Sequence, residues 1–159
     1  MLATQKPSER LWNNLTKLRR QGHLATSTLY NEWQSTARDS QLTPPTSQYG
    51  DYSIWLILAG RGWGKTRTGA MDVILYALRN PEVQIAVVTP TFGDIRRVAF
   101  GGVSGILKNL PPECMMQGRG RGYNASASEI TLYNGSKIMG FSATEPDRLR
   151  GPQFHRAWC

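Results

Sequence analysis

The sequence predicts an α/β fold: a mostly parallel sheet with an antiparallel addition, preceded by N-terminal helices. Three observations carry this. Apolar runs of strand length, Ile54-Trp55-Leu56-Ile57-Leu58 and Gln84-Ile85-Ala86-Val87-Val88-Thr89, alternate with stretches of helical periodicity. Two further runs, Glu129 to Tyr133 and Ser136 to Phe141, flank Asn134-Gly135, the strongest short hairpin signal, and predict a type I′ turn. Between the first two runs, residues 66–80 carry the helical periodicity that a strand-helix-strand alternation needs.

From the N-terminus, Leu11, Leu15 and Leu18 recur at helical spacing and predict an amphipathic helix over 8–20. Ser8 is its candidate cap, and Lys17, Arg19 and Arg20 favour its C-terminal dipole. A second helix is expected over 25–37, leading into Pro44-Pro45. The first 45 residues thus form a helical segment, expected to cover the sheet or, alternatively, to lid a ligand or dock a partner. Residues 46–159 form the main domain.

Within that domain, Ala70, Ile74, Ala77 and Leu78 lie at helical spacing over 66–80, and Asn80-Pro81 stops the helix. A longer helix is expected over 94–110, capped by Gly93-Asp94 and ended by Pro111-Pro112. Gly101, Gly102 and Gly105 should bend or break it, each weakening it by up to about 1 kcal/mol relative to alanine.

Between the first strand and its helix stands Ala59-Gly60-Arg61-Gly62-Trp63-Gly64-Lys65-Thr66. Glycines let a backbone turn tightly so that its N–H groups converge on phosphate oxygens. Lys65 adds a charge for the β/γ-phosphates, and the Thr66 hydroxyl suits Mg²⁺. Ala59 stands where the usual pattern begins with glycine, a mild departure. Strand, loop and helix together predict a P-loop NTPase binding ATP with Mg²⁺, Lys65 being catalytic as well as binding.

The run from Ala59 to Ala70 resembles the phosphate loop of phage terminase large subunits, the motors that package viral DNA. Similarity extends to Val88-Thr89-Pro90-Thr91, to Asn134-Gly135-Ser136 and to the run from Arg148 to Trp158, covering the chain from Arg38 to Cys159. The resemblance implies that Arg61 senses or stabilises the γ-phosphate, its alternative being a solvated loop arginine. It also implies that Gln41 reads adenine, for which an amide offers both donor and acceptor; a solvated loop glutamine is the alternative. No chemical role is expected for Trp63.

The closing residues Phe154 to Cys159 look like the strand that family members follow with an Asp-Glu pair for metal and water, and then with a nuclease domain. No acidic residue here substitutes for the pair, Asp72 lying in a helix, Asp94 after a turn, and Glu145 and Asp147 beside Pro146. The expectation is a domain incomplete at its C-terminal end, without a nuclease, that binds nucleotide with little turnover and associates through exposed sheet edges. A helicase-like DNA-dependent ATPase and a prophage remnant that binds nucleotide or DNA without turnover are the alternatives.

A net charge of +8 suits a polyanionic partner, and double-stranded DNA fits the resemblance. Arg119, Arg121, Arg148 and Arg150 are candidate phosphate contacts, Arg148 and Arg150 serving alternatively at the nucleotide or a neighbouring subunit. The resemblance further implies a small subunit, a portal or procapsid, and a homo-oligomeric ring. Two cysteines, Cys114 and Cys159, are too few for a disulfide framework and suit a reducing compartment. The sequence has neither a signal-peptide core nor an apolar run near the roughly 20 residues that span a bilayer, so the host cytoplasm is expected. His23 and His155 have no partners at zinc-ligand spacing.

Overall fold

The computed structural model describes residues 7–45, 51–117 and 122–159. Helix α1 (Pro7–Thr36) is followed by a 3₁₀ turn (Asp39–Gln41), and further along the chain come α2 (Lys65–Arg79) and strand β1 (Gln84–Thr89). There follow a helical turn α3 (Phe92–Asp94), a π-helical turn (Ile95–Phe100) and the short α4 (Ile106–Asn109). Strands β2 (Tyr123–Asn124), β3 (Glu129–Thr131), β4 (Lys137–Ser142) and β5 (Arg156–Trp158) complete the sheet.

The sheet order is β2-β3-β4-β1-β5. Strand β1 lies between β4 and β5 and runs parallel to both, with Val87 opposite Gly140 on one side and Trp158 on the other. Burial of Ile85, Ala86 and Val87 on a continuous apolar run is what a strand covered on both faces requires. Strands β3 and β4 form the expected antiparallel hairpin, Ile130 facing Ile138, and β2, for which no strand is expected, extends it.

The hairpin turn differs from type I′. Leu132 and Ser136 close a three-residue loop through Leu132 N–H to the Ser136 carbonyl, and Gly135 N–H donates to the Leu132 carbonyl. Only Gly135 takes a positive φ, of 87°. That is a tight turn followed by a left-handed glycine, which suits a three-residue connection. The Asn134 amide ties the loop to α2 by donating to the carbonyls of Ala77 and Leu78.

Three helix expectations change. Residues 7–36 form one helix rather than two, beginning at Pro7, so Ser8 lies inside the first turn. Between the two expected helices, Gly22 is buried against the Tyr133 ring, where a Cβ would meet Cδ1 at 2.6 Å. Close packing explains this glycine. α1 packs on α2, burying Leu29 and Trp33, and on the turn at Pro112–Cys114, so it forms a layer over α2 rather than over the sheet itself.

The region 92–110 breaks at its glycines as expected, since Gly101, Gly102 and Gly105 separate the π-helical turn from α4. Its cap is Thr91, whose hydroxyl accepts from Asp94 N–H at 3.2 Å, and not Gly93-Asp94. A serine- or threonine-type oxygen satisfies an orphan donor that glycine cannot reach.

The largest departure is the segment Ile54 to Leu58. It has no regular secondary structure and pairs with no strand among the described residues, and Ile54, Leu56 and Leu58 are 81%, 71% and 86% exposed. Its composition is that of a buried strand, yet a strand exists only where a neighbouring edge takes up its N–H and C=O groups.

Candidate nucleotide site

The loop that follows this segment turns on two glycines in the left-handed region, Gly62 at φ 77° and Gly64 at φ 97°. Gly64 is also the N-cap of α2, so Lys65 and Thr66 occupy the first helical turn, where free N–H groups and the helix dipole favour an anion. The helix is held to the sheet by buried Ala70, Val73, Ile74 and Ala77. It ends at Asn80, whose backbone N–H and side-chain amide both donate to the Tyr76 carbonyl.

Lys65 folds back over the loop. Its ammonium donates to the carbonyls of Ala59 at 2.7 Å and Gly60 at 2.8 Å, which gathers the loop around the charge. Arg61 and Gly62 are exposed, and Arg61 forms no hydrogen bond or ion pair with any described residue. Thr66 is half-buried one residue beyond the lysine.

Gln41 reaches this loop from the 3₁₀ turn after α1. Its side chain is buried, its amide NH₂ donates to the Trp63 carbonyl at 3.2 Å and to the Thr68 hydroxyl at 3.3 Å, and its Oε1 accepts from Arg38 N–H at 3.2 Å. Arg38 joins the same carbonyl through its guanidinium and lies over the Trp63 ring at 5.4 Å. The sequence brought Gln41 to the site, but neither Arg38 nor the Trp63 carbonyl stood out. A main-chain acceptor leaves no signature in side-chain chemistry.

A second polar cluster lies along α2 on the side of β5. Arg156 pairs with Asp72 at 3.1 Å and lies over the Tyr76 ring at 4.7 Å, and the Thr43 hydroxyl donates to Asp72 at 2.8 Å. Burial pushes the Asp72 carboxyl above its usual range, outweighing the opposing pull of Arg156 and the Thr43 hydrogen bond. The cluster borders a groove of about 810 Å³ with Tyr30, Trp33 and Arg79. It joins α2, β5 and the segment after α1.

Two of the candidate phosphate-contacting arginines are held by neighbouring carboxylates. Arg148 pairs with Glu145 at 2.5 Å and lies over Phe92, and Arg150 pairs with Asp147 at 3.2 Å on an exposed 3₁₀ turn. Arg119 and Arg121 lie outside the described residues. Among the described residues, no group of three or more His, Cys, Asp or Glu side chains is placed to hold a metal ion, and no helix is long and apolar enough to cross a membrane.

Residues 56–159 match the family model described as "Terminase large subunit, T4likevirus-type, N-terminal". No curated protein and no solved structure gives a significant match. The family match runs from the segment before the glycine-rich loop, through that loop, to β5, and takes in the greater part of the sequence. The chain belongs to the terminase large subunit family.

Proposed function

We propose that this chain is the ATP-binding part of a terminase large subunit, a P-loop NTPase that drives double-stranded DNA into a capsid by ATP hydrolysis. The observation that carries the reading is the loop itself, with left-handed Gly62 and Gly64 leading into a helix whose first residue, Lys65, turns its ammonium back over the turn. A phosphate chain placed there meets backbone N–H groups, the helix N-terminus and a cation together.

Each residue then has a part. Lys65 leaves its carbonyl partners for the β/γ-phosphate oxygens. Arg61, exposed and uncommitted, is available to the γ-phosphate, for which a planar and permanently charged guanidinium is suited. Thr66 fits a single oxygen ligand to Mg²⁺, since that ion is held by few protein groups with phosphates and waters completing its shell. Mg²⁺ would neutralise charge that develops on the transferred phosphoryl group.

Double-stranded DNA is the polyanion that the family and the net charge of +8 favour. A small subunit, a portal and a ring of identical subunits complete the proposed machine. Arg148 and Arg150 are already paired with carboxylates, so any DNA contact through them must compete with Glu145 and Asp147. The cytoplasm of the infected host is the proposed setting.

The test is equilibrium binding of Mg-ATP to the full chain and to Lys65→Ala, followed by a fluorescent nucleotide. Loss of one charge-assisted contact should weaken binding by about tenfold or more. Equal affinity in the two chains would remove the phosphate-loop assignment.

A further inference from the structure

We infer that Arg38 and Gln41 are positioning residues for the phosphate loop, acting on the Trp63–Gly64 peptide rather than on the base of the nucleotide. The inference rests on the proposed phosphate-binding role of the loop and goes beyond it in assigning these two side chains.

Two side chains from the turn after α1 converge on one main-chain oxygen. The Arg38 guanidinium and the Gln41 amide both donate to the Trp63 carbonyl, which sits between the left-handed Gly62 and Gly64. In a trans peptide the carbonyl and the following N–H point in opposite directions. Anchoring Trp63 C=O on the side of Arg38 and Gln41 therefore aims Gly64 N–H away from them, fixing the peptide whose flip would otherwise be the easiest motion of a glycine-rich turn. The fit is close enough that a Cβ at Gly64 would meet Gln41 Nε2 at 2.8 Å.

The hydrogen bonds of Gln41 argue for this role over base recognition. Both amide protons are engaged, one by Trp63 and one by the buried Thr68, and Oε1 already accepts from Arg38 N–H. A glutamine that reads a purine edge needs a free donor beside its acceptor, and although the Gln41 oxygen keeps a second lone pair, neither amide proton is left for a base. Here it links the turn, the loop and the second turn of α2. Stacking of Arg38 over the Trp63 ring adds a second hold on the same residue and gives that tryptophan a part in the loop.

The experiment measures binding of inorganic tripolyphosphate, Mg-ATP and Mg-GTP to the full chain and to Gln41→Ala, Arg38→Ala, Arg38→Lys and Lys65→Ala, with the melting temperature of each. The expected result is that Gln41→Ala and Arg38→Ala weaken all three ligands by a common factor of about three- to tenfold, the worth of one net hydrogen bond. Arg38→Lys, which keeps a donor, should recover part of the loss. Weakening confined to ATP would make Gln41 a base reader and overturn the inference. A lowered melting temperature with tripolyphosphate affinity unchanged would make the pair a structural brace only and also overturn it. If tripolyphosphate does not bind the unaltered chain, or binds Lys65→Ala equally well, the phosphate-loop reading itself fails and takes this inference with it.

Discussion

Gly69 on α2 and Trp158 on β5 pack backbone against ring, with a Cβ at Gly69 falling 2.5 Å from the indole Nε1. Only glycine lets the helix approach the edge strand this closely, and Trp158 is the last residue of β5 paired with β1. Gly69→Ala should therefore destabilise the fold by about 1–3 kcal/mol, the usual range for overpacking, despite alanine's better helix propensity. Thermal or urea denaturation measures it. In Trp158→Phe the smaller ring should relieve part of the cost, giving a non-additive double-mutant cycle; strict additivity would mean that the two residues do not press on each other.

Gly64→Ala should damage both the loop and the cap of α2. Its φ of 97° disfavours any residue with a Cβ by about 1–2 kcal/mol, and the Gln41 amide blocks the space. Mg-ATP binding should fall by about tenfold or more, with a lower melting temperature, if the loop geometry is what holds phosphate. Retained affinity would show that the left-handed peptide is dispensable.

Asp72 predicts a pH dependence with a definite sign. Its carboxyl is raised above the ordinary value of 3.8, first by burial and against Arg156 and Thr43. The folded chain therefore binds more protons at this site than the unfolded one. Its contribution to stability is fully present below the unfolded value and is lost as pH rises through the raised folded value. Melting temperatures of the native chain and Asp72→Asn, followed from pH 7 down to about 4, should diverge in favour of the native chain as the solution becomes acidic. Divergence in the opposite sense would mean that the attraction of Arg156 outweighs burial.

The exposed side chains of Ile54, Leu56 and Leu58 form a strand-like apolar surface without a partner. Such a segment is a template for association between copies. Leu56→Lys with Leu58→Lys should shift sedimentation toward monomer while changing stability by no more than about 0.5 kcal/mol, the usual range for surface positions. Unchanged self-association would place the contact elsewhere.

Local signals made α2, β1 and the hairpin legible. Ala70, Ile74, Ala77 and Leu78 announce a helix face, and Ile85 to Val87 announce a covered strand, because each pattern is complete within its own element. The continuity of residues 7–36 as one helix was hidden for the opposite reason: Gly22, inside it, packs on Tyr133 in a distant hairpin. The segment Ile54 to Leu58 shows the same limit, since its composition suits a strand but pairing depends on an edge elsewhere. In the site, Lys65 and Thr66 follow from glycine spacing, whereas Arg38 meets Trp63, and Arg156 meets Asp72, only once the chain has folded.

On the proposed role of the loop, the two carbonyls that hold the Lys65 ammonium would give nucleotide binding the character of an exchange reaction. Ala59 and Gly60 act as built-in competitors, so each hydrogen bond that Lys65 makes to phosphate replaces one it already has within the loop. The measured affinity is then a difference between two sets of charge-assisted hydrogen bonds rather than the full strength of either. Release is assisted by the same two oxygens, which can take the lysine back as phosphate departs.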